Sequence, residues 1–477
     1  MDDTLTGRGE GPRPSVRMQR PGDLADLQWT RKGFLSRTAL LGGAAGVLAA
    51  CGGPAGRGTN EAAGPSASKE PVTLEGWSPW EGTPKDFEAR MAGFQEAYPT
   101  VSLQWTGTGF GTYLDKVTTA VASGTPPDLT YLDNQHQGYF GKNKLVVDQG
   151  PLGKRDKDFH AELIDPRALA LYTYEGEVLG YPWMLTTGQV FFNRALFDAA
   201  GRPTPDTLYR DGKWTWAALL EAAQALTRYG PDGRFEIVGL SYQQSGLWRL
   251  VIQSNGSDLF DDFQKPKKSR LDEPAAIQAL EWMQDVILKH RVAWKVPEAE
   301  GLGKNPRDAV NLGHIAIHSD FGVPTATSST FSQVLDQVGW VPFPKGPASA
   351  GKMVSDLTTE AQGIVRSSTH QDAAWLYARW YQKEWQKVRL LDKSNPRVAS
   401  RSDLQDLSRA ALPAPQDIWF ELVKMGQARP VFPDWSPVSR EILNPQLRAI
   451  WSGEAAPRSA ALAAATQLND YFAANPQ

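Results

Sequence analysis

Cysteine is nearly absent from this chain: Cys51 is the single example in 477 residues. One thiol excludes an intrachain disulfide framework and any cysteine-rich zinc site. The apolar stretch "TALLGGAAGVLAA" runs for only 13 residues, short of the roughly 20 that a membrane-spanning helix needs. A basic excess is missing as well. The net charge is −3, which leaves no electrostatic footprint for nucleic acid. No P-loop and no dinucleotide fingerprint occurs. What is present is an ordinary globular composition, 41% hydrophobic and 22% charged, on a chain long enough for two or three domains. Tryptophan stands out, with 17 residues. Such rings fill cores, or line a site for a flat amphipathic ligand.

The N-terminal segment reads as an address. "RKGFLSR" carries Arg31, Lys32 and Arg37 without an acid, and the uncharged apolar run follows it. A basic segment, a short apolar run and small residues describe an export signal. "TRKGFL" is similar to a twin-arginine signal with Lys32 in place of the second arginine, so general export stays open beside it. "LAAC" (Leu48 to Cys51) resembles the bacterial lipobox, which implies lipidation (palmitate) of Cys51 as the first mature residue. The alternative is a free cysteine near an ordinary cleavage site. Two or more acyl chains anchor a protein stably. The Gly/Pro/Ala/Ser-rich stretch that follows cannot bury apolar surface and predicts a flexible leash. Residues 1–50 are thus expected as signal, 51–71 as lipidated cysteine and linker.

From Val72 onward, strand and helix patterns alternate. "PVTLEGWSPW" reads as a strand running into a loop. Phe87, Met91, Phe94 and Tyr98 recur at helical spacing until Pro99. "TVSLQWTGT" alternates again; Tyr113, Val117 and Val121 share a helix face that Gly124 stops; "DLTYLDN" is a third strand. That order predicts an α/β fold with a mostly parallel sheet. Ligands of such sheets sit beyond the carboxyl ends of the strands, which points to Trp77–Glu81 and to Asp133 and Asn134. Farther on, "TWAALLEAAQALTRYG" is an amphipathic helix with Thr215 as N-cap, and "GHIAIHSDF" alternates as a strand. "DAAWLYARWYQKEWQKVRLL" reads as one helix.

These segments, in this order, resemble the extracellular solute-binding proteins of ABC importers, of the carbohydrate-uptake type that includes maltose-binding protein. The pieces that carry the resemblance are "FQEAYPTVSLQW", "ASGTPPDLTYLD", "GEVLGYPWMLTTGQVFFNRALFDAAG", "WTWAALLEAAQALT", "GHIAIHSDF", "VPFPKGP" and "DAAWLYARWY". The resemblance implies a two-lobed periplasmic-binding-protein-like fold, with a ligand cleft between lobes joined by hinge crossovers. It places lobe one at 72–185 plus 320–366 and lobe two at 186–319 plus 367–477. It also implies a monomer without cofactor, metal or nucleic-acid partner, held to the outer face of the membrane by lipid. This receptor would pass a sugar to ABC permease subunits.

Sugars stack their C–H faces on aromatic rings and require hydrogen bonds for buried hydroxyls. The resemblance carries Trp80, Glu81, Asp133 and Asn134 onto ligand-contacting loops. It puts Trp183 beside the first crossover, Gln244 and Trp248 in lobe two, and Asp320 and Phe321 at the second crossover. Thr359 and Glu360 follow a strand, and Trp435 lies near an aromatic platform. Core packing is the competing role for each tryptophan. It is preferred for Trp214, Trp216, Trp282, Trp340, Trp375, Trp380 and Trp451, whereas loop settings favour a site for Trp80, Trp183 and Trp248.

Two other readings compete. An exported glycoside hydrolase would need two carboxylates about 5–9.5 Å apart; no hydrolase motif is present. A metal-binding lipoprotein would use His314 and His318, but on a strand residues four apart are about 13 Å apart, so these are expected to be structural.

Overall fold

The computed structural model describes residues 70–79, 87–109, 112–133, 135–241, 248–295, 309–310, 312–321, 337–391 and 397–476. Cys51, Trp80, Glu81, Asn134 and Gln244 lie outside the described residues, as does the whole signal and linker up to residue 69.

The chain opens as its periodicity predicts. Strands β1 (Val72–Ser78), β2 (Val101–Gly107) and β3 (Leu129–Leu132) alternate with helices α1 (Phe87–Ala97) and α2 (Tyr113–Ala122). Helix α3 (Gln137–Lys142) and the hairpin of β4 (Thr173–Tyr174) and β5 (Glu177–Val178) follow. The long strand β6 (Met184–Asn193) is buried along its whole length. After it come α4 (Trp216–Leu226), β7 (Arg228–Tyr229), β8 (Phe235–Ser241), α5 (Trp248–Ser254), α6 (Pro274–Leu288) and β9 (Ile315–Phe321). The remaining strands are β10 (Val338–Val341), β11 (Ser355–Thr358) and β12 (Ala361–Ile364). The C-terminal part holds α7 (Gln371–Trp380), α8 (Gln386–Leu391), β13 (Val398–Ala399), α9 (Asp417–Met425), β14 (Gly426–Ala428) and α10 (Pro457–Ala474).

Two sheets organise these elements. The first has the order β12-β3-β1-β2 and the second β14-β11-β6-β9-β8-β7, with β10 and β13 also on β6. Strands β1, β2 and β3 pair in parallel, as strand–helix–strand connections require, and β12 closes the sheet antiparallel. Leu74, Phe94, Val101 and Leu129 form one core with Trp375, Tyr377 and Trp380. A second core gathers Phe192, Trp214, Trp216, Leu219, Leu280, Trp451 and Leu468. Trp340 is buried against Trp419, ring centres 5.3 Å apart. The tryptophans assigned to packing therefore lie in or against cores.

Two particulars differ from expectation. The strands sort differently from the boundaries carried over from the family resemblance: β10 and β11 pair antiparallel with β6 in the second sheet, although residues 320–366 were expected with the first. Conversely, α7 packs on the first sheet, because the face carrying Trp375, Tyr377 and Trp380 covers Leu74 and Phe94. The helix expected from "DAAWLYARWYQKEWQKVRLL" also widens into a π-turn at Tyr381–Trp385. That turn sets Trp385 5.7 Å from the Trp380 ring, and Tyr381 lies 5.7 Å from Trp183.

Candidate functional site

The two sheets are stitched together where the chain crosses between them. Pro182 bridges Ala361 in antiparallel fashion, and the Trp183 N–H donates to the Glu360 carbonyl at 3.2 Å. The Thr359 hydroxyl donates to the Met184 carbonyl. The Tyr172 hydroxyl sits 2.7 Å from the Thr359 carbonyl and 3.0 Å from that of Leu132. Thr359, expected to face ligand, spends its side chain on fastening the two crossing strands.

Beside this stitch lie three other residues singled out from sequence, Asp133, Trp183 and Glu360. Asp133 follows β3 and is nearly buried. Its Oδ1 accepts from the backbone N–H groups of Gln135 (2.8 Å) and His136 (3.1 Å) and is 3.0 Å from His136 Nδ1. These bonds hold one oxygen in a turn. The other, Oδ2, is buried and has no hydrogen-bond partner among the described residues. Trp183 is 4% exposed, packs into the core of the first sheet and stands edge-on to Tyr381, with its Nε1 donor likewise without a partner. Buried polar atoms of this kind are rare and costly. Here two of them flank the crossover, one an acceptor and one a donor.

Glu360 joins the group through charge. Burial pushes its carboxyl above the ordinary range, Asp133 pushes the same way, and the Tyr131 hydroxyl, Arg397 and Arg389 oppose. Asp320, on β9, has Oδ2 3.6 Å from His318 Nε2, and His318 Nδ1 is 3.1 Å from the Ser241 hydroxyl. His318 is thus a structural residue fixing two strands, while His314 is exposed ahead of β9. Phe321 is the last residue of β9.

Residues that sequence reasoning missed complete the site. Arg429, just after β14, donates from Nε to Asp356 Oδ2 at 2.7 Å, and Arg249 pairs with the other oxygen of the same fully buried carboxylate. Burial draws the Arg429 guanidinium down to about 10, while the carboxylates of Asp133 and Asp320 pull it up. One cation therefore sees a carboxylate from each sheet. Gln137 is buried with both amide atoms unpartnered among the described residues, and it lines a small cavity with Leu171, Tyr174, Gln264 and Val431. No local pattern marks these positions; a buried Arg or Gln looks in sequence like a surface one.

Two predicted residues stand elsewhere. Trp248 is buried in the core of the second sheet, lining an apolar pocket with Leu271, Leu280 and Leu447. The start of α5 turns its ring inward, and its neighbour Arg249 reaches Asp356 instead. Trp435 is half-buried and packs edge-on to Phe432 and Phe260, with ring centres 5.9 and 6.1 Å away.

Carboxylates, guanidinium groups and an indole donor thus gather, mostly buried, near the crossing of the two sheets. Among the described residues no cluster of three or more His, Cys, Asp or Glu side chains could hold an ion. The sequence comparisons agree with the architecture. A probable amino-acid ABC transporter periplasmic-binding protein of Sinorhizobium fredii is 23% identical over 269 residues, covering 55% of this chain and 54% of that relative; the chain thus spans about half the length of that protein. Among solved structures, the Listeria monocytogenes ABC substrate-binding protein in complex with cycloalternan superposes with a TM-score of 0.72 at 19% identity. It matches 85% of this chain and all of its own, 100%. The GacH receptor of Streptomyces glaucescens gives 0.71 at 18%, over 86% and 100% of the two chains. Residues 79–387 match the bacterial extracellular solute-binding protein model. With more than half of its length inside that match, the chain belongs to the family of bacterial extracellular solute-binding proteins.

Proposed function

We propose that this receptor captures a sugar or oligosaccharide outside the cytoplasmic membrane and delivers it to an ABC permease by closing its two lobes. The observation that carries the reading is the pairing of an indole beside the crossover, Trp183, with unsatisfied or charge-bearing groups of Asp133, Glu360 and Arg429. An indole N–H donor and fixed charged groups are what the hydroxyls of a polyhydroxylated ring require. The proteins of similar fold were solved with cycloalternan and with acarbose, which supports a saccharide over the amino acid named for the Sinorhizobium relative. Trp80, Glu81, Asn134 and Gln244 are proposed as further contacts.

The lobes in this proposal are 72–181 with 361–391, and 185–358 with 397–476, following the sheets. The receptor acts as a monomer, is anchored by lipid on Cys51 and carries out no chemistry on its ligand. A melting-shift panel of maltose, maltotriose, mannotriose, amino acids and polyamines tests the reading. A ligand at 100 times its Kd stabilises by about 2.7 kcal/mol, a shift of several degrees. A shift with amino acids or polyamines and none with any saccharide would reject the carbohydrate assignment. Cleavage of the oligosaccharides at catalytic rates would reject the receptor.

A further inference from the structure

Gly138 lies in α3, in the lobe that carries the first sheet, and its backbone is not in the left-handed region that favours glycine. A glycine inside a helix costs about 0.5–1 kcal/mol relative to alanine, so local conformation gives no reason for it. The reason lies across the seam. A Cβ at this position would stand 2.1 Å from the Val431 carbonyl oxygen and 2.8 Å from Phe432 C and Pro433 N. These are backbone atoms, which cannot swing away. Val431 itself is buried among Tyr131, Leu132, Phe140, Leu171 and Tyr172, the core of the first lobe, while the next residue, Phe432, is buried in the core of the second. The chain at 431–432 thus changes allegiance between adjacent side chains.

Other bonds cross the same seam. Lys142 is 3.5 Å from Asp434, and the Gln264 amide donates to the Ala170 carbonyl at 3.0 Å. Two residues before Val431, Arg429 faces carboxylates of both lobes.

We infer that Gly138 and Val431 form the seat on which the lobes close: positioning residues that set how far the cleft shuts over its solute. The absent side chain at 138 lets the second lobe's backbone rest directly on α3, and the Val431 side chain enters the first lobe as a knob. Because α3 begins four residues after Asp133, the seat fixes the second lobe relative to that carboxylate. This inference rests on the reading of a closing receptor, but its test needs no particular solute.

The experiment is hydroxyl-radical footprinting and small-angle scattering of the full chain, alone and with maltotriose. In the unsubstituted protein Val431 and Leu171 label slowly. Gly138→Ala, which favours the helix but wedges the seam, raises their labelling about tenfold and enlarges the radius of gyration, while the core residues Trp375 and Trp419 stay protected. Should that variant fail to fold, Val431→Ala removes the knob without a wedge, and Leu171 labelling rises. Labelling and scattering unchanged in the folded variants, or Val431 labelling in the parent like an exposed residue in both conditions, would overturn the seat. Failure of every saccharide in the melting panel would instead reject the ligand class and leave this result standing.

Discussion

Arg429 and Glu360 show how single residues acquire roles from their surroundings. Arg429 keeps its charge at neutral pH although burial draws it down to about 10, because Asp133 and Asp320 compensate. Replacing it with Met should leave Asp356 with Arg249 alone and cost about 1.5–3 kcal/mol, read by urea unfolding. Glu360 is the reverse case. Its carboxyl is raised above the ordinary 4.5, so the folded state holds the proton more tightly than the unfolded one. Its contribution is therefore neutral below about pH 4.5 and becomes a penalty as pH rises through and above that value. Glu360→Gln should melt higher than the parent, with a gap that opens between pH 4.5 and 7; a gap that closes over that range would reverse the sign. Trp183→Phe keeps an edge-on ring for Tyr381 but deletes the unpartnered Nε1 donor. It should weaken the best saccharide of the panel about tenfold, as one net hydrogen bond of about 1.4 kcal/mol implies, with little change in melting. Calorimetric titration checks this.

At the scale of elements, the local rules held where burial is local. Thr215 caps α4 as read, its hydroxyl accepting from the Ala218 N–H at 3.2 Å, and Ser123 and Gly124 end α2. They faltered where an element serves distant partners. The helix expected to run up to Gly230 ends at Leu226, because Arg228 and Tyr229 pair with β8 instead. The π-turn at Tyr381–Trp385 replaces a regular helix where Gln382 donates to the Pro182 carbonyl at 3.2 Å. Strand β10 pairs so tightly with β6 that a Cβ on Gly339 would stand 2.0 Å from the Phe192 ring. Gly339→Ala should therefore destabilise by about 1–3 kcal/mol through overpacking, measured by urea denaturation.

For the whole molecule, the proposed closure would convert solute binding into a shape that a permease distinguishes, since a solute shifts the equilibrium only by its differential affinity for the two forms. The saccharide that melts the protein highest should also reduce its radius of gyration. The proposed lipid anchor is a separate matter of address. Cys51→Ser should move the protein from the membrane fraction to the soluble one with affinity unchanged, as fractionation of expressing cells would show.

The sequence by itself determined the kinds of elements, their order, the α/β class and most of the buried tryptophans, because alternation of period two or 3.6 records burial within a few residues. It also singled out Asp133, Trp183 and Glu360 as candidates, since each follows a strand or stands at a crossover. Only the tertiary structure decided that Trp248 faces a core, that Arg249, Asp356 and Arg429 share one buried carboxylate, that β10 and β11 belong with β6, and that Gly138 meets Val431. Those contacts join residues far apart in the chain. Their partners leave no periodic trace beside them, and the packing of two lobes selects among pairings that local chemistry leaves equally open.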